Sequence, residues 1–424
     1  MILKLKYGMS RVEAEFRPPR RFAELKTKRI ATLQKPEEII AQALDQPIGC
    51  FPFEQLFKKA GNVVLIVPDD LHDTGGTHYL PLLLRRLKAL GVSMREVTIL
   101  VAGALGARRN GVPHLIGAER DELGHPRVVY HDANDAKALE YAGETRRGTP
   151  VFVNRLLVDA EYAIICGASG YHSFAGYRGG PEMIVPACAG RETIERNLLL
   201  ACDLAEGRLH PRCYDGVLTG NPMQEDMREA FRFLTFNFLL HAVLNERNQI
   251  VSAVAGEPLQ AHAAGCHIVD DIYRVPVSHM ADLAIVSCGG YPHDRNYLEA
   301  HRALHHACRV VNPGGVIIFV AECAKGVGSP YFLPGLGNEH LNAAEPQNLG
   351  HYRPEMIWAL STAQKARDYR ILAVTDLVEK TARALGFTPA ASLREALQLA
   401  QTWLGENHSC YVIPNGSSAA PEVV

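Results

Sequence analysis

The chain has 424 residues, with 44 Lys and Arg against 46 Asp and Glu and a formal net charge of -2. Hydrophobic residues make up 47% and charged residues 21%, the balance of a globular chain long enough for about two or three domains. That balance argues against a surface for nucleic acid or anionic lipid, and no apolar run approaches the roughly 20 residues a membrane span needs.

In chain order, the opening MILKLKYGMSRVEAEF alternates like a strand and has no signal-peptide core, so a cytoplasmic location is expected. Val63 to Pro68 reads as a strand ending at Asp69 and Asp70, and His78 to Leu90 as an amphipathic helix. Further strands fall at Val97 to Ala102, Arg127 to His131 and Tyr162 to Cys166. Met223 to Leu244 reads as one long helix with Met227, Ala230, Phe231, Leu234 and Phe238 on its apolar face, followed by a strand at Ile250 to Val254. A helix over Leu259 to Tyr273 bridges to a second half. There Leu283 to Ser287, Val316 to Val320, Ile371 to Val374 and Cys410 to Ile413 are expected strands. Helices over Asn296 to Val310, Asp376 to Leu385 and Ser392 to Leu404 separate them, and the tail NGSSAAPEVV reads as frayed. The fold class is therefore α/β, with two parallel-sheet domains over residues 1–265 and 275–415 and a ligand cleft expected between them. Ten cysteines are scattered from Cys50 to Cys410 without a C-x-x-C pair, and reduced thiols are expected.

The densest signal is Tyr171 to Asn197, YHSFAGYRGGPEMIVPACAGRETIERN. It sets His172 and the three glycines Gly176, Gly179 and Gly180 between a strand and a helix start, where backbone can approach a ligand closely. The stretch resembles the nickel-dependent lactate racemase family, whose pattern is H-x-x-A-G-(aromatic)-S-G-G-(R/K)-K, a Pro-Gly turn, then A-G-x-x-T-I-x-x-N-H. His172, Ala175, Gly176, Tyr177, Gly179, Gly180, Pro186, Gly190, Thr193, Ile194 and Asn197 match it. The likeness continues through Leu218 to Ala230, Asn237 to His262, Ser287 to Asn296 and Gly314 to Gly328, so it covers most of the chain.

The resemblance implies an isomerase in which a nickel-pincer nucleotide accepts a hydride from a 2-hydroxy acid while two histidines serve as bases. It puts one base at His172, cofactor contacts at Asp70, Gly176, Gly179, Gly180, Gly289 and Gly290, and the carboxylate clamp at Arg302. Five positions depart from the family. Glu182 stands where the cofactor-linking lysine belongs, and Leu198 where a histidine binds nickel. Leu105 replaces the second base, Asp73 a phosphate-binding arginine and Glu299 a glutamine. Glu182 has no amine, so covalent attachment of the pincer is not expected.

Three readings follow. The first is a racemase or epimerase of a small 2-hydroxy acid or related carboxylate, with His172, Glu182 and Arg302 as catalytic candidates. The second is a non-catalytic carboxylate-binding or regulatory paralogue without the cofactor. The third is a metal-dependent lyase or hydrolase using a rebuilt set of His72, Asp70, Asp73, His172 and Glu182, with His72 and Asp73 as candidate ligands of a divalent cation. A small-molecule carboxylate is the expected partner, with no nucleic acid and no membrane.

Overall fold

A computed structural model describes residues 1–28, 30–32, 34–58, 60–70, 74–103, 124–203, 206–336 and 355–424. Among them the chain divides into two compact units. One comprises Arg29–Ala201 and His210–Ile272, the other Met1–Lys28, Cys202–Leu209 and Tyr273–Val424. The opening 28 residues, expected with the first half, thus pack with the second.

The unit built mainly from the first half holds a seven-stranded sheet. Its order is Ile250–Gly256, Phe238–Leu244, Tyr162–His172, Val63–Pro68, Val97–Ala102 and Arg127–Tyr130, with Gly176–Arg178 folded back on the end of Tyr162–His172. The four strands Phe238–Leu244, Tyr162–His172, Val63–Pro68 and Val97–Ala102 run parallel, and only Ile250–Gly256 and Gly176–Arg178 run against their neighbours. Val63, Leu65, Ile99, Ile164 and Leu240 are fully or almost fully buried, as central strands covered on both faces require. The helix Gly76–Ala89 adds Leu80, Leu83, Leu84 and Leu87 to that core, the 3.6-residue stripe visible in the sequence.

One expectation is corrected here. Met223 to Leu244 is not a single helix: a helix spans Pro222–Phe231, and Phe238–Leu244 is a strand beside Tyr162–His172. All seven residues of FLLHAVL are buried, and a run that is apolar on every side carries no period to separate strand from helix.

The other unit holds a six-stranded sheet, in the order Thr388–Pro389, Arg370–Val374, Val311–Val320, Ala281–Ser287, Ser409–Ile413 and Arg21–Glu24, parallel throughout. Its edge strand comes from the chain's beginning. A hairpin of Ile2–Tyr7 and Ser10–Glu15 packs Leu3 and Leu5 onto the same core as Leu283, Ile285 and Ile318. The tail is also not frayed: Ala420–Val423 pairs in parallel with Arg274–Val277 and buries Ala419 and Ala420. None of the ten cysteines is in a disulfide.

Candidate functional site

His172 ends the strand Tyr162–His172 and pairs with Gly176 across a tight reversal. Its Nδ1 accepts the backbone N–H groups of Phe174 (3.2 Å) and Ala175 (2.9 Å). With Nδ1 an acceptor, the neutral ring carries its proton on Nε2. The hairpin is tied down by Tyr171 and Tyr177, whose hydroxyls both donate to Asp270 Oδ1 at 2.7 Å. Asp270 belongs to the helix Pro258–Tyr273. Gly176 has φ 84°, and a Cβ there would stand 2.2 Å from the Val217 carbonyl oxygen.

Gly179 and Gly180 both have positive φ, and each lies against an imidazole. A Cβ on Gly179 would meet His241 Cε1 at 2.3 Å, and one on Gly180 would meet His262 Cγ at 2.7 Å. His241 is fully buried and His262 nearly so, with ring centroids 6.2 Å apart and planes perpendicular. His241 Nδ1 lies 3.2 Å from Ser169 Oγ, whereas its Nε2 has no hydrogen-bond partner. His262 Nε2 donates to the Arg178 carbonyl at 3.2 Å. Burial holds the His241 pKa well below the usual histidine range, and it lowers that of His262 to about 4 against the opposing pull of the Arg178 carbonyl and Glu182. Both rings are therefore neutral near pH 7. Neither was singled out from the sequence. The available signal was a histidine inside the otherwise apolar run FLLHAVL.

Glu182 sits in the short 3₁₀ turn Gly180–Met183, and its Oε2 accepts the Gly179 N–H at 2.7 Å. The carboxylate is thus turned back to cap its own turn. Leu198 lies in the helix Arg191–Leu199 and is 6% exposed. A lysine-linked nickel pincer does not fit these two positions. One offers no amine and is engaged by the turn, and the other offers no lone pair. Next to Leu198, Asn197 donates to Asp226 Oδ2 (2.9 Å) and the Met223 carbonyl (3.0 Å), and Thr145 Oγ also donates to Asp226. This buried network joins the helices Arg191–Leu199 and Pro222–Phe231.

His172, Glu182, Gly176, Gly179 and Gly180 therefore share one hairpin and turn. Asp70 follows the strand Val63–Pro68, where its carbonyl accepts from Thr74 Oγ1 at 3.2 Å. His72, Asp73 and Leu105 lie outside the described residues. Among the described residues, no group of three His, Cys, Asp or Glu side chains converges to hold a metal ion.

In the other unit, Arg302 lies half-buried on the helix Tyr297–Cys308. Glu299 on the same helix pairs with Arg295. His301 and His306 point into the packing, with His301 Nε2 3.1 Å from Ser361 Oγ and His306 Nδ1 2.6 Å from the Gly416 carbonyl. Gly289 and Gly290 also have positive φ; a Cβ on Gly289 would meet Asn415 Oδ1 at 2.4 Å, and one on Gly290 the Gly8 carbonyl at 2.8 Å. A cavity of about 580 Å³ opens at the start of the same helix, lined by Arg295, Asn296, Lys325, Val327, Gly328, Ser329 and Pro330.

Comparison with known proteins agrees with this architecture. Residues 7–205 match the family model described as lactate racemase N-terminal domain, and residues 277–420 the one described as lactate racemase C-terminal domain. A lactate racemase of Thermoanaerobacterium thermosaccharolyticum is 30% identical over 394 residues, 90% of this chain and 89% of that protein. One from Lactiplantibacillus plantarum is 28% identical over 386 residues, with coverages of 90% and 89%. The structure of the lactate racemase apoprotein from T. thermosaccharolyticum matches with a TM-score of 0.85 at 27% identity, over 99% of this chain and 100% of that one. A Thermotoga maritima protein shares the fold at 15% identity, with a TM-score of 0.64 over 94% of this chain and 100% of that one.

Proposed function

Because the chain belongs to the lactate racemase family, we propose that it binds a small 2-hydroxy acid or related carboxylate and acts on it as a racemase or epimerase. The observation that carries this reading is His172, which keeps the family's base position and is held there by two backbone amides. In that pose neutral His172 offers an Nε2–H to a substrate oxygen. To accept a proton at Nε2 the ring must move its own proton to Nδ1, and this breaks both amide bonds. His172 thus orients the ligand as a donor first, and its service as a base is coupled to the Phe174–Ala175 turn. The family resemblance alone would put a carboxylate cation at Arg302, on the helix Tyr297–Cys308. The reading includes a cytoplasmic location, which suits ten cysteines outside any disulfide; no helix among the described residues is long and apolar enough to cross a membrane.

The test is incubation of enantiopure lactate and a panel of longer 2-hydroxy acids with the protein, followed by chiral chromatography. Conversion is expected for at least one acid, and His172→Asn is expected to lower its rate by about 10²–10⁴-fold. Absence of conversion across the panel overturns the catalytic reading. A binding-only paralogue is favoured by the Glu182 carboxylate being engaged by its own turn. It would show carboxylate binding by calorimetry with no turnover.

A further inference from the structure

The helix Pro222–Phe231 packs against the Gly180–Met183 turn that carries Glu182. Gln224 on this helix is 1% exposed, yet neither its Oε1 nor its Nε2 has a hydrogen-bond partner. A buried primary amide with both ends unmet is rare in a native interior, because desolvation is then uncompensated. One helical turn on, and so on the same face, lies Arg228. It is half-buried and makes no ion pair with a described residue. On the opposite face Asp226 accepts from Thr145 and Asn197. Gln224 and Arg228 thus share a face that carries an amide unmet at both ends and a guanidinium without an ion pair among the described residues. Arg228 and Glu182 both act electrostatically on His262, the ring against Gly180, which puts the guanidinium in the neighbourhood of the candidate site.

We propose that Gln224 and Arg228 form a subsite for a small hydroxy-carboxylate, the guanidinium holding the carboxylate and the amide reading the hydroxyl. A guanidinium fork matches a carboxylate, and a primary amide supplies both the donor and the acceptor that a hydroxyl uses. A site built to bond a hydroxyl rejects the analogue that lacks it, because the amide is then left unmet. This subsite rests on the carboxylate-ligand part of the reading above and adds to it the residues that distinguish a hydroxy acid from a simple acid.

The experiment titrates wild type, Gln224→Met and Arg228→Met with lactate and with propionate, which has the carboxylate but no hydroxyl, by calorimetry and thermal melting. Gln224→Met is expected to melt above wild type without ligand, because it removes two unmet buried groups at nearly constant volume. It is expected to bind lactate at least about tenfold more weakly, the worth of one good hydrogen bond, while propionate affinity stays unchanged. Arg228→Met is expected to weaken both acids and, at a half-exposed position, decides the matter should Gln224→Met not fold. A wild type that binds lactate while both variants keep its affinity overturns the subsite alone, as does equal wild-type affinity for the two acids. A wild type that binds neither acid overturns the subsite together with the proposed function.

Discussion

Two Gly-Gly pairs, Gly179-Gly180 and Gly289-Gly290, look alike in sequence, yet they solve different packing problems. The first pair lies on two neutral, buried imidazoles, His241 and His262, inside the unit that carries His172. The second lies on Asn415 and on the Gly8 carbonyl, which also accepts the Tyr291 N–H at 2.9 Å. There the missing Cβ lets the N-terminal hairpin dock. A glycine pair reports that something must come close. Whether that is a titratable ring or a neighbouring turn depends on residues far away in sequence.

The largest effect expected from testing this comparison comes from the hairpin of the first stretch. Gly176→Ala puts a Cβ at 2.2 Å from a backbone oxygen at φ 84°, and neither partner can swing aside. A loss above about 3 kcal/mol is expected from denaturant midpoints, combining backbone strain with overpacking. Gly290→Ala, whose nearest atom is at 2.8 Å, is expected to cost about 1–2 kcal/mol. A reversed order would break the contrast.

Acidification tests the imidazoles. His262 has its folded pKa lowered from 6.5 to about 4 by burial, so the unfolded chain binds more protons between those values. Its contribution is complete above pH 6.5 and is lost as pH falls toward 4, by up to about 3 kcal/mol, with His241 acting in the same direction. The difference between wild type and His262→Gln in denaturant midpoint should change across that window and be flat from pH 7 to 8. A flat difference throughout would mean that the ring is not held neutral.

Gly179→Ala should cost about 2 kcal/mol, because its new Cβ meets the His241 ring at 2.3 Å. In a double-mutant cycle with His241→Ala, a coupling of at least about 1 kcal/mol is expected, since the ring is the obstacle. Additive losses would show that the backbone dihedral alone sets the cost. The smallest effect in this region is expected from Glu182→Lys, which restores the family residue but gives up the carboxylate bond to the Gly179 N–H. About 1–2 kcal/mol should be lost, against under about 0.5 for Arg383→Ala in an exposed helical pair.

The sequence by itself determined most strands, because Val63–Pro68 and Val97–Ala102 are short apolar runs bounded by turn residues. It also determined the family, through a long motif in order, and it located the departures at Glu182 and Leu198. Tertiary structure decided what has no local signature. Phe238–Leu244 is a strand because Tyr162–His172 stands beside it to pair, and that pairing carries the strand expected at Tyr162 to Cys166 on through Ser169. Met1–Lys28 joins the later unit, and the tail forms a strand, because each finds an open sheet edge or core there. The two histidines under the glycines and the unmet amide of Gln224 emerged only from burial. The physical reason is one of range. Side-chain periodicity is written along the chain, whereas pairing partners, desolvation and the satisfaction of buried polar groups depend on segments that meet only after folding.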